Sequence, residues 1–112
     1  MEHKTATELM EEAVGTYELK NKDYGRSWQN IGYVLHMLAN GEPVVLETPE
    51  DFIAIGLFTR RLDKFARSFN AEFLADEMNF ESGVDADTDD IPYAAMQAEN
   101  KLDRQVTNDK RE

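Results

Sequence analysis

The stretch TPEDFIAIGLFTRRLDKFARSFN, residues 48–70, decides the fold of this chain. It opens with a threonine that can cap a helix, a proline suited to the first helical position, and two carboxylates where the helix dipole is positive. Apolar and small residues then recur at steps of three and four, which is the period of an amphipathic helix. These positions are Phe52, Ile55, Thr59, Leu62, Ala66 and Phe69. The pattern predicts one long helix from Thr48 to about Asn70.

Two shorter helices are predicted before this stretch. Thr5 and Glu8 form a capping-box pattern, and the apolar positions that follow predict a helix to about Lys22. Gly25 can adopt the left-handed conformation that ends a helix. A second helix is expected from about Ser27 to Asn40-Gly41, with Trp28, Ile31, Leu35 and Leu38 on one face. Residues 42–47 are expected to be a loop or a short edge strand.

The C-terminal part is strongly acidic before it becomes helical again. Residues 72–90 contain eight acidic and no basic side chains, which predicts a charged connector with at most one helical turn. Helical spacing returns from Ile91 and predicts a last helix over about Pro92 to Gln105. We therefore expect an all-α single domain, a bundle of about four helices over residues 1–105, followed by a polar tail at 106–112.

Composition excludes several classes of protein. The chain has 23 acidic and 12 basic residues, a net charge of −11, which repels nucleic acid. It lacks both an apolar run of the roughly 20 residues that a membrane span needs and a secretory signal, so we expect a cytoplasmic protein, in the host cytoplasm if the source is viral. With no cysteine, disulfides and thiolate metal sites are excluded.

A basic stripe lies on the predicted long helix. At 100° per residue, Arg60, Lys64 and Arg67 fall within an arc of about 60°. One interpretation is a solvated face. The other is a phosphate site, because guanidinium and ammonium groups suit phosphate oxygens. Asp63 flanks the stripe and could pair with Arg60 or Arg67.

The same helix is apolar nearly all round in its first half, where Ile53 and Leu57 extend the hydrophobic surface. A helix of this kind is covered by other helices or by another subunit. A chain of 112 residues has few helices with which to cover it. The pattern therefore predicts a homo-oligomer, with the basic residues at the rim of a buried seam.

An acidic column offers candidate metal ligands. Glu81, Asp85 and Asp89 are spaced by four, so a helix would align their carboxylates as oxygen ligands for Mg²⁺. Pro92 disfavours a continuous helix and could place them in a loop. A merely solvated acidic stretch is the alternative.

Asp23, Tyr24 and Trp28 bracket the glycine turn at Gly25. An aromatic ring at this turn could stack on a nucleotide base. Packing of the rings against other helices is the alternative interpretation.

Three ordered motifs carry a resemblance to a known family. They are Lys-Asn-x-Asp-Tyr-Gly-x-x-Trp at 20–28, Gly-Leu-x-x-Arg-x-x-Asp-Lys-x-x-Arg at 56–67 and Glu-x-x-x-Asp-x-x-x-Asp-x-x-x-Tyr-Ala at 81–94. This pattern resembles the phage-associated family called nucleotide modification associated domain 1. More distantly, the chain is similar to MazG-like all-α nucleoside triphosphate pyrophosphatases, in which helix-borne carboxylates hold Mg²⁺ at the substrate phosphates.

The resemblance implies handling of a nucleotide in viral or modified-DNA precursor metabolism. A (deoxy)nucleoside triphosphate would bind with Mg²⁺, and its α–β phosphate bond is the one that an enzyme of this kind would hydrolyse. Asp85 and Asp89, with Glu81, would hold the metal. The basic stripe would stabilise phosphate charge, and Tyr24 or Trp28 would contact the base. The alternative is a non-catalytic helical module that binds a partner protein through the Ile53/Leu57 seam.

Overall fold

A computed structural model describes the backbone of residues 3–74 and 82–111 and, within these ranges, all side chains except those of residues 23, 24 and 107–111. It contains four helices in chain order: α1 Ala6–Tyr24, α2 Ser27–Ala39, α3 Pro49–Phe73 and α4 Gly83–Arg111. No strand occurs in these described ranges, and residues 42–47 form a loop. The predicted all-α single domain is confirmed.

The predicted starts of α1 and α3 are confirmed by their caps. The Thr5 hydroxyl accepts a hydrogen bond from the Glu8 amide at 3.2 Å, which fixes the start of α1. At α3, Thr48 and Asp51 form a reciprocal capping box, and the Asp51 carboxylate also accepts from the Glu47 amide at 3.0 Å. These bonds satisfy amides that have no partner inside the helix, so both helices begin where the sequence signals lie.

The prediction for the C-terminal part is wrong in its boundaries. Helix α4 begins at Gly83 rather than near Pro92 and continues to Arg111, past the expected end at Gln105. Its start is fixed by Ser82, whose hydroxyl accepts from the Asp85 amide at 3.1 Å, while Asp85 accepts from the Ser82 amide. Pro92 lies inside the helix, because contacts with α3 hold the turns before and after it. The first half of the expected connector includes residues 75–81, which lie outside the described residues.

Helix α3 is the centre of the packing. Helix α4 lies against most of its length, whereas α1 and α2 contact it less extensively. Within the described residues, the fully buried apolar side chains are Ala54, Leu57 and Ala86, and four polar side chains are equally buried. Those four are Ser27, Asn70, Gln97 and Asn100. The interior is therefore small and relies on hydrogen bonds between helices.

The predicted apolar faces are only partly covered by this chain. Leu57 is buried, whereas Ile53 is half exposed. On α2, Ile31 and Leu35 are partly buried, but Trp28 and Leu38 remain exposed. Every residue of α1 from Ala6 to Lys20 is exposed. Much of the apolar surface that the sequence assigns to a core thus stays exposed among the described residues.

Candidate functional site

The corner between α1 and α2 brings the first motif onto α3. Gly25 and Arg26 both have positive φ, 56° and 61°, and reverse the chain direction within two residues. Asn70 of α3 is buried and donates from its amide nitrogen to the Lys22 carbonyl at 3.0 Å. A Cβ on Gly25 would lie only 2.9 Å from the Asn70 side-chain oxygen. Glycine thus permits both the left-handed backbone and the close approach to α3.

Asp63 links this corner to the basic stripe. The buried Ser27 hydroxyl donates to one Asp63 oxygen at 2.9 Å, and the Arg67 guanidinium lies 2.8 Å from the other. The expected pairing of Asp63 with Arg67 is confirmed. The Arg67 side chain is only 17% exposed, so this cation is held in a largely covered position.

Lys64 links the stripe to the acidic column. Its ammonium lies 3.1 Å from an Asp89 carboxylate oxygen, and its side chain is only 15% exposed. The solvated-face interpretation is therefore wrong for Lys64 and Arg67. Arg60 does remain exposed, with its guanidinium 5.8 Å from the centre of the Tyr93 ring.

An interhelical network next to the stripe was not predicted. Arg61 donates from two nitrogens to the two oxygens of Asp90, at 2.9 and 3.2 Å, and from a third to the Gln97 side-chain oxygen at 2.9 Å. The hydrogen bond with Asp90 raises the pKa of Arg61 above its ordinary value. Asp90 and Gln97 are seven residues apart, two helical turns, and this spacing was the signal available in the sequence.

The described members of the acidic column have different hydrogen-bond and ion-pair partners. Asp85 takes part in the capping of α4, Asp89 pairs with Lys64, and Glu81 lies outside the described residues. Among the residues described, no three carboxylates or histidines gather into a metal-binding group. Asp85 and Asp89 are one helical turn apart on α4. Two carboxylates are the number that Mg²⁺ usually takes from a protein when substrate phosphates and water supply its other ligands, so this pair fits such an ion.

The predicted base-binding residues lie at the same corner. Asp23 and Tyr24 form the last turn of α1, and nothing is described of their side chains. The Trp28 indole is 59% exposed, with the Arg26 guanidinium 5.4 Å from the ring centre.

A groove of about 340 Å³ opens beside Gly25, between α2 and α3. Its walls combine the rings of Phe65 and Phe69 with the side-chain amides of Asn30 and Asn70. Aromatic faces with amides nearby are a composition that can bind a planar heterocycle.

No protein-family model matches the chain, and no curated protein or solved structure is significantly similar to it. In the described part of the chain, no helix combines the length and apolar character needed to cross a membrane.

Proposed function

We propose that this protein binds a (deoxy)nucleoside triphosphate together with Mg²⁺ and hydrolyses its α–β phosphate bond, in viral or modified-DNA precursor metabolism. One observation carries the proposal: residues from three separated motifs meet on α3. Ser27 of the first motif contacts Asp63 of the second, and Lys64 of the second contacts Asp89 of the third.

The pairing of charges suggests how ligand and metal binding are coupled. In the free protein, Asp89 is neutralised by Lys64 and Asp63 by Arg67. Asp85 and Asp89 would hold Mg²⁺, and Asp89 would then no longer depend on Lys64 as its counter-ion. Lys64 could then contact a phosphate, and Arg60 at the exposed edge could contact another. Nucleotide and Mg²⁺ should therefore bind more tightly together than separately.

Each group has a defined part in this proposal. Mg²⁺ supplies neutralisation of phosphate charge and an acidified water as nucleophile when bound. Arg60, Lys64 and Arg67 stabilise the charge that develops on the phosphates. Tyr24 or Trp28 would contact the base.

The first test is calorimetric titration of deoxynucleoside triphosphates with Mg²⁺ into the parent, Arg60→Gln and Lys64→Gln. Each lost charge-assisted hydrogen bond should weaken binding by about ten- to a hundredfold, or roughly 1.5–3 kcal/mol. Lys101→Gln is the matched control, because Lys101 is an exposed cation on α4 that belongs to neither the basic stripe nor the acidic column. It should leave the affinity within about twofold.

Asp85→Asn combined with Asp89→Asn tests the metal role. The double variant should lose the Mg²⁺-dependent part of nucleotide binding while circular dichroism still reports a helical fold. Conversion of a nucleoside triphosphate to the nucleoside monophosphate and pyrophosphate by the parent would establish hydrolysis of the α–β phosphate bond. Equal affinities for the parent and the stripe variants, or no binding of any nucleotide by a folded parent, would contradict the proposal.

A non-catalytic module that binds a partner is the second candidate, and a specific observation favours it. Ile53 is half exposed next to the buried Leu57, so part of the predicted seam is open to another protein. A folded parent that ignores every nucleotide would leave this candidate as the better account.

A further inference from the structure

We infer that α1 and the outer face of α2 form a self-association surface that is covered by a second copy of this chain. We name two sets of residues. The α1 stripe consists of Leu9, Met10, Val14 and Tyr17, and the α2 outer face consists of Tyr33 and Met37. All six side chains are between 49% and 74% exposed in the single chain. This inference does not depend on the proposed nucleotide chemistry.

Helix α2 gives the first argument. It contains no aspartate, glutamate, lysine or arginine, in a protein that is 31% charged. A helix that is hydrophobic all round is normally buried, and α2 approaches this composition because its polar side chains are few and carry no formal charge. Helix α3 covers only the side with Ile31 and Leu35, and Met37 on the outer face is 74% exposed.

Helix α1 gives the second argument. Its 19 residues are amphipathic in sequence, yet its exposed stretch from Ala6 to Lys20 shows that α1 approaches the rest of the chain only near its C-terminal end. Most of the stability of a helix in a protein comes from packing its apolar face. The described part of the chain leaves the α1 stripe 49–62% exposed, so its helical state would be stabilised by a surface supplied from outside.

The surface area of the chain gives the third argument, and it matches a dimer. The single chain exposes 8667 Å², whereas a compact monomer of its mass exposes about 6,300 Å². Its radius of gyration is 18.1 Å, against about 13 Å for a compact domain of this length. The excess of about 2,400 Å² per chain, or about 4,800 Å² for two chains, falls in the upper part of the roughly 2,000–5,000 Å² in total that obligate homodimers bury.

The distribution of charge identifies a second copy as the occupant. Residues 1–41 carry six acidic and four basic side chains, which gives a net charge of −2. Residues 42–112 carry seventeen acidic and eight basic side chains, which gives a net charge of −9. Two copies that meet through α1 and α2 therefore keep their strongly negative halves apart. A face without charges is self-complementary under a twofold axis, where any charge near the axis would meet its like.

The test is sedimentation equilibrium of the full chain with matched substitutions. Val14→Glu on the α1 stripe and Met37→Glu on the α2 outer face should each weaken dimerisation by at least about tenfold. Val84→Glu is the control, because Val84 is 74% exposed on α4, in the more negative part of the chain. It should change the dimer dissociation constant by less than about threefold.

Because a glutamate could unfold the chain rather than separate it, a second measurement uses cysteine labelling. The chain has no cysteine, so Val14→Cys and Glu8→Cys introduce single thiols on the stripe and on the opposite side of α1. Raising the protein concentration should slow maleimide labelling at position 14 and leave labelling at position 8 unchanged. A parent that stays monomeric, equal weakening by Val84→Glu, or concentration-independent labelling at position 14 would each overturn the inference.

Discussion

At the scale of single residues, the contact between Gly25 and Asn70 determines how the first motif meets α3. Gly25 combines a left-handed backbone with a neighbour 2.9 Å from where its Cβ would lie. Asn70 cannot move away freely, because it is buried and its amide holds the Lys22 carbonyl. The corner that presents Ser27 to Asp63 therefore depends on the absence of one methyl group.

Gly25→Ala should lower the free energy of unfolding by about 2–4 kcal/mol, from backbone strain of about 1–2 kcal/mol together with the displacement of Asn70. Gly41→Ala is the control. Gly41 also has positive φ, 81°, but a Cβ added there would have no atom within 4 Å, so only the strain should appear. Urea unfolding of both variants measures the difference, and equal losses would show that the contact with Asn70 contributes nothing.

At the scale of helices, the capping of α3 by Asp51 should make the stability of the fold depend on pH. Hydrogen bonds from the amides of Glu47 and Thr48 lower the pKa of Asp51, and Arg104, at 2.8 Å, acts in the same direction. A carboxyl group with a lowered pKa in the folded state stabilises the fold above its unfolded pKa and loses that effect as the pH falls through the folded value. The stabilisation should therefore be complete near neutral pH and decline below about pH 4.

Asp51→Asn should lower the melting temperature at about pH 7, and its difference from the parent should shrink as the pH falls below about 4. Glu50→Gln removes the same charge from the same helical turn without touching the capping box. Melting curves by circular dichroism across this range provide the measurement. A deficit of the Asp51 variant that persists undiminished at low pH would show that the carboxylate charge is not the cause.

At the scale of the whole molecule, the proposed dimer couples folding to concentration. If the chain folds fully only when α1 and α2 are covered, dilution favours the unfolded state by mass action. The high negative charge adds a dependence on salt, because like charges on two copies repel and are screened as ionic strength rises.

A tenfold increase in protein concentration should raise the melting temperature by about 3 °C for a dimer of chains this long. Raising NaCl from about 0.05 to about 0.5 M should also tighten the association. Differential scanning calorimetry at several concentrations is the measurement, and Val14→Glu, with its dimerisation weakened, should lose the concentration dependence. A melting temperature that is independent of concentration in the parent would contradict the coupling.

The amino-acid sequence by itself determined the helices and several of their ends. Thr5, Gly25, Thr48 and Asp51 act through bonds to residues within four positions, so local spacing was sufficient to predict them. The same locality explains the failure at α4. Pro92 is locally unfavourable in a helix, and the contacts from Arg61 to Asp90 and Gln97 that hold the helix there come from α3.

Only the tertiary structure decided which charges meet. The helical wheel grouped the basic residues, but it could not show that Lys64 lies against Asp89, or that Ser27 and Arg67 share Asp63. Ser27 and Asp63 are 36 residues apart in the chain, and Lys64 and Asp89 are 25 apart, whereas Asp63 and Arg67 lie one turn apart within α3. The distances between side chains of different helices depend on how α2 and α4 pack against α3. The sequence also could not tell which apolar residues the chain covers by itself, because burial is a property of the packed helices.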